Sequence, residues 1–340
     1  MGVVGRTASG RVGLVVLALM ALACVLSVPW TFGAGPDGRP RYDAHDRSAR
    51  LLPPTWWPMS VGAAVERQRV DSGEGEVPDG AAGSAASARV RGGLMGTDLL
   101  GRDLLVRVLA GGAISLLVGV CAAAVAVTIG TAYGLIAGYA GGRIDAVMMR
   151  VVDVLYGLPY VLLVVLLAVA SDAIVERWSA AGLDLSESAR RAWDVGALLL
   201  AIGGVSWLTM ARVVRGQVLS LKAQPFMEAA RAMGVPVRRQ LLVHLLPNLG
   251  GPIVVYATLT VPQAILQESF LSFLGIGIKA PLPSWGTLAS DGLSAMNAVS
   301  PGARAWLLVF PCLALSATLL ALNFVGEGLR EALDPRRARD

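Results

Sequence analysis

The sequence contains little of what an active site requires. Only two lysines, Lys222 and Lys279, and two histidines, His45 and His244, occur in its 340 residues. A phosphate-binding loop of the usual type has a lysine directly after a glycine, and neither lysine follows one. Two histidines alone cannot supply an HExxH zinc motif, and no serine stands in a GxSxG nucleophile motif. We therefore expect no catalytic residue, no metal site, no cofactor in this chain and no ATP hydrolysis by it.

Cysteine is also scarce. The three cysteines, Cys24, Cys121 and Cys312, all lie within apolar segments. This placement argues against a disulfide framework. Small buried apolar side chains are the simpler interpretation, because free cysteine behaves as a small hydrophobic residue.

Charged residues are too few for a soluble domain. They make up 16% of the chain, against about 25% in typical soluble domains, and the mean hydropathy is +0.62. The net charge of +5 is not concentrated in a long basic run. We interpret the surplus as a signal of membrane orientation and expect no nucleic-acid partner.

Long uncharged runs are abundant. A helix needs about 20 apolar residues to cross the hydrocarbon layer. Six runs reach or approach that length: 12–36, 108–142, 154–171, 195–211, 249–267 and 305–326. They predict an all-α integral membrane protein with six transmembrane helices, at about 13–33, 109–138, 152–171, 195–213, 249–269 and 305–326.

The first run is interpreted as a retained helix and not as a cleaved signal peptide. Its apolar core continues through Pro29 and Trp30 without a clean small-residue cleavage site. Positive residues in the short loops place both termini in the cytoplasm: residues 1–12 at one end and 331–340 at the other.

Two further segments lie outside the predicted spans. Residues 34–95 form an extracytoplasmic insertion, rich in glycine, alanine and serine, that is predicted to be partly disordered. The rest, 96–330, is a core of five helices that includes a polar cytoplasmic loop at 214–248.

That loop contains the stretch "PFMEAARAMGVPVRRQLLVHLLPN". Pro225 suits the first turn of a helix, Gly234 suits its end, and Pro236 suits the start of a second helix, which Pro247 ends or kinks. Helical spacing places Phe226, Ala229, Ala230 and Met233 on one face. A short amphipathic helix of this kind favours docking into a groove of another protein. The alternative is a helix lying on the lipid surface, for which this face is small.

This stretch resembles the EAA loop of permease subunits of ABC importers. The glutamate-alanine-alanine pattern, the glycine and the later apolar-proline pair match at Glu228, Ala229, Ala230, Gly234, Leu246 and Pro247. His244 replaces an apolar residue of the general pattern, and "HLLPN" is similar to the peptide and nickel branch. Motifs such as "GTDLLGRD" and "ESFLSFLGIGIKAPLPSWG" resemble the same branch, so the likeness covers about 96–335.

The resemblance implies the fold of a type I ABC importer permease and the partners of such a subunit. Residues 228–234, including Arg231, would form the coupling helix that sits in a cleft of an ATPase subunit. The assembly would contain a second, similar permease, two ATPase subunits that hold ATP and Mg²⁺, and an extracytoplasmic solute-binding protein, all in or at a bacterial cytoplasmic membrane. Peptides, nickel chelates and glycosides remain open as the solute.

Two polar residues near the end of the fifth span are candidates for the translocation path. A carboxylate at membrane depth marks function by default, which draws attention to Glu268 and to its neighbour Gln267.

Three other functions are open on the residues alone. An ion-coupled secondary transporter without an ATPase would require several buried carboxylates. An intramembrane enzyme would require paired catalytic groups. An ABC exporter is disfavoured only by the resemblance to importers.

Overall fold

The computed structural model describes residues 8–35, 38–46, 49–56, 93–182, 186–297 and 304–333, and these form a helical protein. Most of the predicted 34–95 insertion and of the C-terminal tail lies outside the described residues. Apart from a 3-10 turn, Arg41–Asp43, the helices are α1 (Ala8–Thr31), α2 (Leu104–Ala140), α3 (Gly142–Tyr156), α4 (Tyr160–Ala180), α5 (Glu187–Lys222), α6 (Pro225–Ala232), α7 (Val237–Asn248), α8 (Gly250–Phe273), α9 (Trp285–Asn297) and α10 (Trp306–Leu333).

Several helices have the length and composition of membrane spans. Four qualify singly, α1, α2, α5 and α10, and two bent pairs, α3 with α4 and α7 with α8, qualify together. The described part of the chain therefore supplies four spans, or six if each bent pair crosses once. This agrees with an all-α membrane protein and allows the predicted six.

The predicted third span differs most from the structure. Residues 152–171 were expected to form one helix, but α3 and α4 meet at 157–159 with a bend of 88°. Pro159 explains the break, because it has no N–H to donate and it disfavours helical backbone at Leu158. The fourth span, predicted at 195–213, continues to Lys222, so the polar loop begins at 223 and not at 214.

The chain divides into two compact units. The first comprises 1–15, 118–267 and 320–340. Within it, Gly130, Gly134 and Gly138 line the face of α2 that meets α5. A methyl group at Gly130 or Gly138 would lie 2.5 or 2.8 Å from the Cβ atoms of Met210 and Val218. The close approach shows that these glycines let the two helices pack closely.

The second unit comprises 16–117 and 268–319. Its apolar core is built around Trp285 and Trp306, both at most 1% exposed, with Cys24, Leu104 and Val108 packed nearby.

A buried ionic network lies in the same unit. The Asp98 carboxylate accepts bonds from Arg102 and Arg107 at 2.7 Å each, and Arg107 also reaches Asp291 at 3.3 Å. Arg102 extends the network to Asp43 at 3.2 Å. Asp98 and Arg102 belong to "GTDLLGRD", one of the motifs noted above, and Arg107 lies four residues after it.

Candidate functional site

The helix α6 begins and ends as the sequence predicts. Pro225 is its first residue, after an extended Gln224. At the other end Gly234 has a φ of +70°, and the Val235 N–H donates to the Ala230 carbonyl at 3.0 Å. This is the six-to-one bond that closes a helix through a left-handed residue, which glycine adopts without strain. The predicted sequence of helix, glycine turn and second helix is confirmed.

The apolar face of α6 is narrower than predicted. Ala230 was expected on the exposed face, but it is buried together with Met227, whose side chain packs among Leu245, Leu249 and Val214. The helix is therefore oriented with these two residues against the rest of the chain. The apolar residues that remain exposed are Phe226 at 41%, Met233 at 75%, and Ala229 between them.

Charged residues lie beside this exposed face. Glu228 and Arg231 are both exposed on α6, as are Arg238 and Arg239 at the start of α7. Arg231 also donates to the Lys222 carbonyl at 3.0 Å, which ties α6 to the end of α5.

A buried glutamine holds the glycine turn in place. Gln240, only 4% exposed, donates to the Val235 carbonyl at 2.7 Å and accepts from the Tyr139 hydroxyl at 2.9 Å. Gln240 and Tyr139 were not singled out from the sequence. The available signal was one amide side chain in the otherwise basic and apolar run "VRRQLLVHLL".

The second helix of the passage, α7, is irregular. A π-helical turn, Gln240–Leu245, lies between its first and last turns, and α7 meets α8 at a bend of 62°. Pro247 lacks the N–H that would continue the hydrogen-bond ladder. Leu246 is half-buried and Pro247 is exposed, so this apolar-proline pair lies where the polar loop turns into α8.

Two ion pairs fasten α3 to α5 close to the loop. Arg215 binds both carboxylate oxygens of Asp145 at 2.6 Å. Arg212 binds Asp153 at 2.9 Å, and its guanidinium lies 4.2 Å from the ring centre of Tyr156. Arg150 lies one turn before Asp153 in the same helix, but the bond to Asp153 comes from a different helix.

The two candidate pathway residues have different surroundings. Gln267 is half-buried and accepts a hydrogen bond from Tyr160 at 2.6 Å and one from Ser206 at 3.4 Å. Glu268 is 0% exposed. Its carboxylate accepts from Ser272 at 2.7 Å, Ser115 at 2.9 Å and Ser269 at 3.3 Å.

Metal-binding groups are not assembled in the described part of the chain. Among those residues no three histidine, cysteine, aspartate or glutamate side chains are grouped to hold an ion. The features gathered around α6 are an exposed apolar face and the exposed charged residues beside it.

Comparison with known proteins identifies the family of the chain. Residues 130–339 match the family model of the binding-protein-dependent transport system inner membrane component. The chain is 48% identical over 241 residues to the oligopeptide transport system permease protein OppC of Haemophilus influenzae, covering 71% of this chain and 70% of that one.

Two other relatives are similar to the same extent. The dipeptide transport system permease protein DppC of Bacillus subtilis is 46% identical over 244 residues, 72% of this chain and 69% of its own. OppC of Escherichia coli is 48% identical over 253 residues, which cover 74% of this chain and 76% of that one. The chain therefore belongs to the family of binding-protein-dependent transport system inner membrane components, the permease subunits of ABC importers.

Proposed function

We propose that this chain is one of two permease subunits of an ATP-driven importer of peptides, and that α6 couples it to an ATPase subunit. In this proposal the chain crosses a bacterial cytoplasmic membrane six times, with both termini and residues 223–248 in the cytoplasm. A second, similar permease completes the translocation pathway.

The exposed face of α6 is the observation that carries the proposal. Phe226, Ala229 and Met233 are apolar and exposed, while Met227 and Ala230 anchor the same helix to the subunit core. A rigidly held helix with a free apolar face suits a groove on a partner. The face is too small to bind lipid strongly.

The backbone around α6 is suited to transmitting force. Gln240 braces the Gly234 turn from one side, and Arg231 fastens α6 to the end of α5 from the other. A movement imposed on α6 would consequently reach the spans without being absorbed in a slack loop. Glu228, Ala229, Ala230, Arg231, Gly234, Leu246 and Pro247 are the residues we assign to coupling.

The energy source and first recognition of the solute are assigned to partners. Two ATPase subunits would bind ATP and Mg²⁺, and an extracytoplasmic binding protein would deliver the solute. The peptide class rests on the relatives, which are named for oligopeptide and dipeptide transport.

The two candidate pathway residues receive different roles. We assign Gln267 to the pathway, because its side chain is half-exposed and bonded to two other spans. Three hydroxyl donors surround the Glu268 carboxylate, which favours a positioning role for that residue.

The first test is affinity purification of the tagged chain from native membranes in several mild detergents, with mass spectrometry of every bound protein. Co-purification of a second permease and ATPase subunits is expected. Isolation alone in all detergents would contradict the proposal and favour an ion-coupled transporter.

A matched pair of variants then tests the docking face. Phe226→Asp should reduce ATPase recovery about tenfold or more, because a carboxylate would be buried in an apolar contact. Ala223→Asp adds the same charge at an exposed position three residues earlier, outside α6, and should leave recovery unchanged. Equal recovery with both variants would exclude α6 as the docking element.

A further inference from the structure

Four polar side chains share one face of the candidate span α8. They are Tyr256, Thr260, Gln263 and Gln267, at spacings of four, three and four residues. At 100° per residue these positions fall within about 60° of one another around the helix. None carries a charge, yet each presents a hydroxyl or an amide at the depth of a membrane span.

This polar face points away from the packed side of α8. Ile265, on the opposite side of the helix, is 0% exposed and packs directly on Gly119 of α2. By contrast, Tyr256 is 37% exposed, Gln263 is exposed, and Thr260 and Gln267 are half-buried. The face is therefore accessible within its own unit.

Other spans contribute polar groups at one end of the face. Tyr160 of α4 donates to the Gln267 amide oxygen at 2.6 Å, and Ser206 of α5 does so at 3.4 Å. The 2.6 Å bond from Tyr160 engages the amide oxygen and holds the Gln267 side chain against α4. Two hydroxyls and one amide, from three helices, thus meet at Gln267.

Contact with the hydrocarbon tails of lipids is unfavourable for such a polar face. Burial of an amide or hydroxyl in an apolar medium without a partner costs roughly 2–7 kcal/mol, and exposed polar groups in spans usually face a water-filled cavity. The occupant must offer donors and acceptors without requiring a fixed charge.

We propose that this face of α8 binds the main chain of the transported peptide. A peptide backbone presents alternating N–H and C=O groups, which glutamine amides and hydroxyls can pair with whatever side chains the peptide has. Tyr256 and Gln267 are eleven residues apart, or about 16 Å along the helix. An extended peptide rises about 3.3 Å per residue, so the face matches a main chain of about five residues.

The inference rests on the proposed import of peptides and adds the residues that contact the peptide. Neutral contacts of this kind would bind the main chain, which all peptides share. They would let the permease pass cargo of varied sequence while the binding protein does the selecting.

The test uses the complete importer reconstituted in proteoliposomes, with uptake of a radiolabelled pentapeptide at saturating binding protein. Gln263→Leu should lower the maximal uptake rate about three- to tenfold, the loss expected for one hydrogen bond in a limiting step. Thr260→Val should act in the same direction. Subunit recovery should not change.

Thr258 provides a matched control on the same helix. Thr258 and Thr260 each donate to a carbonyl of their own helix, at 2.8 and 2.7 Å, but Thr258 lies on the opposite side of α8. Thr258→Val should therefore leave the rate unchanged. Equal rates for Gln263→Leu, Thr260→Val and wild type would overturn the inference.

A second measurement identifies the occupant. Gln263→Cys, in a background without the three native cysteines, should react with a charged, water-soluble thiol reagent, and bound pentapeptide should slow the reaction. No reaction would place the face in lipid, and a cross-link to the second permease without peptide protection would make it a subunit interface. Either result would refute the inference. If wild type shows no ATP-dependent uptake at all, the proposed function fails instead.

Discussion

The Ser115 hydroxyl donates a hydrogen bond of 2.9 Å to Glu268, a residue 153 positions later in the chain. Ser115 also accepts from the Trp285 N–H at 3.4 Å, and Ser272, another donor to Glu268, accepts from the Ile278 N–H at 3.0 Å. One buried carboxylate consequently holds together the beginning of α2, the end of α8 and the segment that leads to α9.

Replacement of Glu268 separates a positioning role from a pathway role. Glu268→Ala removes the acceptor from three buried hydroxyls, and each unsatisfied donor costs about 1–3 kcal/mol. We expect a clearly lower melting temperature in detergent and lower yield. Glu268→Gln keeps one oxygen acceptor and should lose less. A variant that melts like wild type but transports at an altered rate would instead support contact with the solute.

Gly234 should tolerate asparagine but not leucine. Its φ of +70° is accessible to asparagine at small cost, whereas a left-handed conformation costs most other residues about 1–2 kcal/mol. A Cβ at this position would meet no atom within 4 Å. The cost of a substitution is therefore set by backbone strain and not by crowding. We expect Gly234→Leu to insert normally and bind ATPase subunits but to hydrolyse ATP without uptake. Normal uptake by a well-expressed Gly234→Leu variant would contradict the rigid-turn role.

Reversal of charge at Glu228 should weaken docking. Glu228 is exposed next to the apolar face of α6 and is the acidic residue of its first turn. Glu228→Lys is expected to reduce the amount of ATPase recovered with the permease, whereas Glu228→Gln should have a smaller effect. Pull-down at two salt concentrations provides the measurement, since contacts between exposed charges weaken with salt. Unchanged recovery of the ATPase with Glu228→Lys would argue against coupling through α6.

The two ion pairs between α3 and α5 should differ in strength. Asp145 is 8% exposed and receives two bonds from Arg215, whereas the Asp153 and Arg212 side chains are 60% and 39% exposed. Arg215→Ala leaves a buried carboxylate unpaired and should cost about 1–3 kcal/mol. Arg212→Ala should cost about 0–1 kcal/mol. Thermal unfolding of both variants checks the ranking, and equal losses would show it to be wrong.

Acid should weaken the network around Asp98. Burial raises the pKa of Asp98, but Arg107 and Arg102 outweigh that effect, and the pKa lies below its ordinary value. A carboxylate with a lowered folded pKa contributes stability that is present above its unfolded pKa, about 3.9, and is lost as pH falls through the folded value. The melting temperature should therefore fall below about pH 4 more steeply in wild type than in Asp98→Asn. Parallel pH profiles would assign the acid sensitivity to other groups.

The sequence predicted the elements that depend on local chemistry. Uncharged runs indicated where the long apolar helices lie, and the pair of Pro225 and Gly234 located α6 because proline and glycine act on their own backbone. The break at Pro159 also has a local cause, but the apolar run 154–171 continues through it and concealed it.

Contacts between different helices were harder to predict from the sequence. Asp153 had a suitable partner one turn away in Arg150, and only the packing of α3 on α5 shows that Arg212 takes that place. Ala230 was assigned to the exposed face because helical spacing alone does not determine the side from which a helix is covered. Ser269 and Ser272 follow Glu268 by one and four residues in the same helix, but Ser115 lies 153 residues earlier, so no local spacing could reveal that partner.

The glycine contacts between α2 and α5 have a mechanical consequence. Because α5 packs directly against Gly130 and Gly138, we expect the packed parts of these two long helices to move together. Since α5 is joined to α6 only by Ala223 and Gln224, the proposed coupling would pass a displacement of α6 to both helices together. In that proposal the bends between α3 and α4, at 157–159, and between α7 and α8, at Leu249, are where the backbone angle would change.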